Sequence, residues 1–203
     1  RMEPLIVENQ GFIDKYIGDA IMALFSEGAD DAVQAGIAML HSLVEYNQYR
    51  AASGYAPVKI GVGINTGSLM LGTVGGNNRM DGTVISDAVN LASRIESLTK
   101  SYQVSLLITQ QTFDRLTNPA DYAIRRIDRL QVKGKSEMVT VYEVFDADLP
   151  EVKAGKLAML QVFSEALSVY DMNNFREAGL LFADCLRENP EDKVAQIYLN
   201  RCQ

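Results

Sequence analysis

Histidine occurs once and tryptophan not at all in these 203 residues. His41, the single histidine, lies in a helical pattern and reads as a surface or satisfied structural residue. Chemistry built on a Ser/His or Cys/His pair has almost nothing to draw on, so any catalysis must rest on carboxylates, metals, lysines or arginine. The two cysteines, Cys185 and Cys202, sit near the end. That excludes a disulfide framework and a four-thiolate zinc site, and suits a reducing cytosol. No apolar run approaches the roughly 18 residues needed to cross a bilayer. The opening RMEPLIVENQ lacks the charged-then-apolar layout of a signal peptide, so the expectation is a soluble, cytoplasmic piece. Basic charge is also scarce: 19 Lys and Arg face 26 Asp and Glu, a formal net charge of -7. A chain with that balance has no broad positive field, and nucleic acid is not expected as a partner.

What is present fits one globular domain with an appendage, at 47% hydrophobic and 22% charged residues. Residues 11 to 25 read as two apolar strands, GFIDKYI and AIMALF, joined at Gly18-Asp19, a short-turn signal. From Asp30 to Arg50 apolar residues recur at helical spacing, with Asp30 or Asp31 able to cap the start and Gly54 and Pro57 ending the run. VKIGVGINTG alternates as a strand. SLMLGTV and RMDGTVIS around the glycine-rich GGNN predict a hairpin with a long tip. DAVNLASRIESL predicts a helix opened by Ser86 or Asp87, QVSLLIT a strand, QQTFDRLT a short helix, and YAIRRIDRLQVKGK with EMVTVYEVF a final antiparallel pair.

Strands and helices mix without regular βαβ alternation, so the class is α+β with a mostly antiparallel sheet. DADLPEVKAGK, from Asp146 to Lys156, is polar, contains Pro150 and reads as a linker. It divides residues 1–148 from a helical tail over 149–203. In the tail, Phe163, Ala166, Leu167 and Tyr170 share one helix face, then Phe175, Ala178, Phe182 and Leu186 another, with Pro190 starting a third helix. This is little more than one tetratricopeptide-type unit. Such units need about three copies to stand alone, so packing against its own domain or a dimer mate is expected rather than peptide capture.

Gly61, Gly63 and Gly67 in GVGINTG do not match GxGxxG and lead into another strand, which excludes a dinucleotide fold. Gly72, Gly75 and Gly76 lack the GK[ST] ending of a P-loop and read as hairpin turns. The hairpin at 11–25 is more informative, because it holds a carboxylate, Asp19, at a tight turn and a lysine, Lys15, on a strand. Mg²⁺ takes one or two protein carboxylates and completes its shell with water and phosphate oxygens, which suits Asp19. Taken alone, Gly-Asp is also simply a common turn and Lys15 a solvated lysine. Asn90 and Arg94 lie four apart on one predicted helix face. The pair offers a donor with an acceptor, and a permanent planar cation suited to phosphate. By spacing alone it could equally be a polar surface stripe.

Together the pieces resemble a known family. DKYIGDAIMALF, GINTG, RMDGTVISDAVNLASR and the closing VKGK occur in the order expected of class III nucleotidyl cyclases, over about residues 9 to 146. The resemblance implies a ferredoxin-like core with a protruding arm near Thr73 to Thr83. It implies attack of a ribose 3′ oxygen on the α-phosphorus of a nucleoside triphosphate. It identifies Asp19 with the second of two metal-binding aspartates, serving two Mg²⁺ (or Mn²⁺) ions in a complete site. Lys15 and Thr83 fall on the purine-reading positions with the identities associated with adenine, so ATP is the expected substrate. Asn90 would orient the ribose, Arg94 would neutralise charge on the α-phosphate, and Lys133 would bind the outer phosphates, with Lys135 as a stand-in. Threonine at the second purine position is similar to a bacterial subset that includes bicarbonate-responsive enzymes. The sites would form at the interface of a homodimer, which holds two of them.

The family's first metal aspartate, on a strand followed by a glycine-containing loop and helix, should precede the hairpin. Only RMEPLIVENQ stands there, resembling the end of that helix. The expectation is therefore a fragment of a longer polypeptide with upstream sensor or regulatory domains, weak or inactive alone. A non-catalytic cyclase-like module for dimerisation and signalling is the competing reading, and a guanylyl cyclase is disfavoured by Lys15 and Thr83. The GG[DE]EF turn of enzymes that make cyclic dinucleotides does not occur.

Overall fold

In the computed structural model of the chain, the apolar run from Leu106 to Ile108 is fully buried and forms the centre of the molecule. The structure describes the backbone of residues 1–76, 79–85, 87–131 and 138–203, and the side chains of these except at 71, 73–76 and 79–85. In order, the elements are α1 (Met2–Glu8), β1 (Gly11–Ile17), β2 (Ala20–Phe25), α2 (Ala29–Ala52), β3 (Val62–Ile64), β4 (Met70–Gly76), β5 (Arg79–Ile85) and α3 (Asp87–Tyr102). There follow β6 (Leu106–Thr109), α4 (Gln110–Phe113), β7 (Ile124–Gln131), β8 (Met138–Val144), α5 (Pro150–Ala158), α6 (Leu160–Asp171), α7 (Phe175–Glu188) and α8 (Lys193–Arg201).

The main sheet has the order β3-β6-β8-β7. β3 pairs with β6 in parallel, and β6-β8 and β8-β7 are antiparallel. Strand periodicity explains why β6 reads as a continuous apolar run: successive side chains point to opposite faces, and both faces are covered. Leu106 and Ile108 join Val33 and Leu40 of α2 in one cluster. Leu107 joins Leu91, Ile95 and Tyr102 of α3 in another, together with Phe163, Phe182 and Tyr198 of the tail helices. The result is three layers, with α2 on one side of the sheet and α3 plus the tail on the other.

The antiparallel hairpins β1-β2 and β4-β5 are separate two-stranded sheets. Gly18 lies between β1 and β2 with φ +63°, a conformation that glycine adopts without steric cost. The β4-β5 ladder runs to Gly76↔Arg79, so the arm is paired further than a long tip would allow.

Three sequence expectations change. Asp30 does not cap α2, whose N-cap is Gly28 without a side-chain bond. Its carboxylate instead accepts hydrogen bonds from the Thr117 backbone and hydroxyl, both at 2.9 Å, and from Tyr122 at 2.7 Å. Partial burial acts to raise its pKa, but these bonds outweigh it and hold Asp30 below its ordinary value. The stretch read as a linker is largely helical, because Pro150 occupies the first turn of α5, where its missing N–H costs nothing. The last helix starts at Lys193, capped by Asp192, rather than at Pro190. The Ser86 cap expected for α3 lies outside the described residues.

The tail is joined to the sheet by buried charge as well as apolar packing. Arg125 of β7 donates to Glu143 of β8 at 2.6 Å and, with both terminal nitrogens, to Asp192 at 2.6 and 2.8 Å. Lys156 of α5 donates to Glu143 at 2.5 Å and to Asp148 at 2.6 Å. Burial alone would raise the Asp192 carboxyl, but the bonds and charge of Arg125 hold it below the ordinary carboxylate value. Asp148 goes the other way, because burial outweighs the pull of Lys156.

Candidate active site

The candidate residues stand on three parts of the fold. Lys15 and Asp19 belong to the β1-β2 hairpin, which packs on α1 and α2. Lys15 faces Met22 in the ladder, and the register slips between Ile13 and Lys15, so Asp14 occupies a bulge. The Asp14 carboxylate lies 3.3 Å from the Lys15 ammonium. That oxygen is buried and has no hydrogen-bond partner among the described residues, so Lys15 is its counter-ion without being an aligned donor. Asp19 is exposed at the turn.

Asn90 and Arg94 are both exposed on α3, one turn apart on the same face. Helix α3 packs on β3, β6 and α8 rather than on the hairpin. Its last residue, Tyr102, donates its hydroxyl to Asp128 of β7. Burial and that carboxylate push the Tyr102 hydroxyl up to about 12. Arg201 of α8 approaches the same carboxylate at 3.4 Å, and Tyr198 donates to the Ile127 carbonyl at 2.8 Å. The tail thereby fixes the far end of the helix that carries Asn90 and Arg94.

Thr83 lies opposite Gly72 in the β4-β5 arm, with its side chain among those not described. Lys133 and Lys135 lie outside the described residues. The structure therefore sets Asn90 with Arg94 on one helix face and Lys15 with Asp19 on one hairpin.

Where the loop after β3 meets the start of α3 there is an open cleft of about 460 Å³, lined by Asn65, Thr66, Ser68, Asp87 and Gln111 among others. Sequence reasoning passed over Asn65, treating GINTG as a strand end. Its signal was a polar amide set between Gly63 and Gly67. Among the described residues no three His, Cys, Asp or Glu side chains gather as a ready-made cation cage. No described helix is long and apolar enough to cross a membrane.

Comparison with known proteins points to one family. The profile of the adenylate and guanylate cyclase catalytic domain matches residues 2–144. The terminal-differentiation-specific adenylate cyclase of Dictyostelium discoideum is 42% identical over 207 residues, covering 98% of this chain and 10% of that protein. An adenylate cyclase of Anabaena cylindrica is 47% identical over 149 residues, covering 70% of this chain and 30% of that protein. The chain thus spans a tenth to a third of the length of these curated relatives. Among solved structures, the adenylyl cyclase CyaB from P. aeruginosa superposes with a TM-score of 0.61 at 33% identity, over 71% of this chain and 76% of that one. The guanylyl cyclase Cya2 gives 0.58 at 30% identity, over 73% and 77%. With a family profile that spans the hairpin, the arm and α3 alike, the chain belongs to the adenylate and guanylate cyclase catalytic-domain family.

Proposed function

We propose that this chain is the catalytic part of an adenylyl cyclase that converts ATP to 3′,5′-cyclic AMP and pyrophosphate. The observation that carries the reading is 42% identity, along 98% of the chain, to a protein named adenylate cyclase. In the reaction the ribose 3′ oxygen forms a bond to the α-phosphorus, the bond from that phosphorus to the pyrophosphate oxygen breaks, and the 3′ hydroxyl proton is lost. Lys15 is a donor-only cation and Thr83 a hydroxyl that can accept, which suits the acceptor ring nitrogen and amino donor of adenine. Asn90 orients the ribose. Arg94 holds positive charge where negative charge grows on the α-phosphate. Lys133, or Lys135 in its place, binds the outer phosphates.

Asp19 fits a divalent cation as one ligand of several, since Mg²⁺ keeps waters and phosphate oxygens in its shell and needs few protein carboxylates. An exposed carboxylate at a glycine-preceded turn meets that requirement. Two Mg²⁺ or Mn²⁺ ions would supply activation of the 3′ oxygen and charge neutralisation on the leaving group. A complete two-metal site would need a second metal-binding carboxylate beside Asp19. Residues 1–148 would constitute the cyclase unit and 149–203 an added helical layer in which one tetratricopeptide-like pair packs on the sheet. The family resemblance supports a homodimer in which each site draws Asp19 from one subunit and Lys15, Thr83, Asn90 and Arg94 from the other. The catalytic part would be cytoplasmic, under the control of further domains in the full-length protein.

Turnover of ATP and GTP by the full-length protein with Mg²⁺ or Mn²⁺ tests this reading. Cyclic AMP formation with a clear preference for ATP supports it. GTP preference would reassign Lys15 and Thr83, and no turnover by an intact dimer would favour a non-catalytic signalling module.

A further inference from the structure

The strand that precedes the cleft is pressed unusually hard against α3. A Cβ added at Gly63 would lie 2.7 Å from the Ala92 carbonyl oxygen and closer still to the Glu96 backbone, and one at Gly67 would lie 2.8 Å from the Ala88 Cβ. Backbone thus meets backbone at Gly63, and the backbone at Gly67 meets the Ala88 methyl, approaches that leave no room for a larger side chain. Between these glycines stands Asn65, and its amide is used at both ends. Nδ2 donates to the carbonyl of Ala88 at 3.0 Å, in the first turn of α3. Oδ1 accepts from the hydroxyl of Thr109 at 2.8 Å, at the end of the central strand β6.

The bracket continues on its far side. Thr66 donates to the Thr112 hydroxyl at 3.1 Å, and Thr112 caps back to Thr109 through its backbone N–H at 3.4 Å. Thr109 and Thr112 are fully buried. The loop is therefore tied to the most buried strand of the sheet, and through the Asn65 side chain to the start of α3. Ala88 precedes Asn90 by two residues and Arg94 by six, so the bond sets the depth and rotation of the turn that presents both.

We propose that Asn65 is a positioning residue for cyclisation, holding the first turn of α3 so that Asn90 and Arg94 meet the substrate in register. This rests on the roles given to Asn90 and Arg94 above. Reacting groups that shift by about 1 Å can cost on the order of a hundredfold in rate, whereas loss of one neutral hydrogen bond costs only about 1 kcal/mol of stability. A positioning role therefore separates from a structural one.

The test is carried out in the full-length protein. Asn65→Asp keeps the shape but sets an acceptor against the Ala88 carbonyl, and Thr109→Val removes the donor that orients the amide. The control is Asn47→Asp, because Asn47 brackets Val58 in the same way, donating to its carbonyl and accepting from its N–H, both at 2.8 Å. It lies on α2, on the other side of the sheet. Asn65→Asp is expected to lower kcat about ten- to a hundredfold with KM for ATP within about threefold, with Thr109→Val intermediate. Asn47→Asp, whose bonds are more exposed, is expected to lower Tm less and leave kcat in place. Unchanged kcat in both Asn65→Asp and Thr109→Val, while Asn90→Ala and Arg94→Ala are impaired, overturns the positioning role alone. A kcat loss in Asn47→Asp equal to that in Asn65→Asp also overturns it, since destabilisation would then explain both. Full activity of Asn90→Ala and Arg94→Ala overturns both this inference and the reading beneath it.

Discussion

Arg125 and Arg126 are neighbours in the chain, yet their removal should differ several-fold in cost. The side chain of Arg125 is 2% exposed, as are those of its partners Glu143 and Asp192. Its guanidinium also lies over the Phe163 ring at 4.1 Å. Arg125→Met leaves the buried carboxylates of Glu143 and Asp192, and the half-buried Asp148, with Lys156 as their remaining close cation among the described residues. Removing one partner of such a buried network costs about 3–5 kcal/mol. For a domain of this size each kcal/mol moves Tm by about 2–4 °C, so a fall of roughly 6–20 °C is expected. Arg126 pairs with Asp171 at 2.8 Å, with side chains 25% and 46% exposed. Solvent screens that pair, and Arg126→Met should cost about 0–1 kcal/mol. Urea unfolding of the two variants beside the wild-type chain measures both quantities. A cost for Arg125→Met within about 1 kcal/mol of that for Arg126→Met would refute the claim that buried charge fastens the tail to the sheet.

Acid should loosen that junction at Asp192 and, on the other side of the sheet, the bonds made by Asp30. Asp192 and Asp30 have folded pKa values below the ordinary 3.8, so the stability they confer is present above that value and is lost as pH falls through their folded values. Asp148, raised by burial, works the other way, and its protonation favours the folded chain. Unfolding free energy measured against pH should therefore drop steeply below about pH 4, and less steeply in Asp192→Asn; an identical acid limb in that variant would contradict the assignment. Gly63→Ala should destabilise by about 1–3 kcal/mol, because backbone of α3 occupies the space its methyl needs. Gly72→Ala, with nothing among the described residues within 4 Å of an added Cβ, serves as the neutral comparison. Calorimetric melting of both checks this. Lys15→Glu should lower turnover of ATP relative to GTP, measured as the ratio of kcat/KM values, and an unchanged ratio would remove Lys15 from purine reading.

Much of the fold was legible because the signals were local. The period-two hairpin around Gly18-Asp19 and the apolar run of β6 correspond to the strands observed. The buried ion network was not anticipated, yet half of it was written in the register. Arg125 and Glu143 are direct partners in the β7-β8 ladder, each on the same face as buried residues, Ile127 for the first and Val141 for the second. Two opposite charges at inward positions of paired strands signal a buried pair. Asp192 and Lys156 could not be added, since their approach depends on how the tail folds back. The polar stretch around Pro150 was misread for the same reason: its charges looked solvated, whereas Lys156 is 6% exposed and turned inward. Asn65 was hidden because a single amide between glycines gives no periodic signal, and its role appears only when β6 and α3 are brought to it.

The central claim is a cyclase site shared between two copies of the chain, with Asp19 from one and Arg94 from the other. Mixing Asp19→Ala and Arg94→Ala forms of the full-length protein tests it directly. Each form alone should make almost no cyclic AMP. In an equal mixture half the dimers contain both forms and one of their two sites is intact, so recovery to about a quarter of wild-type activity is expected. A mixture no more active than its separate components would contradict the shared site.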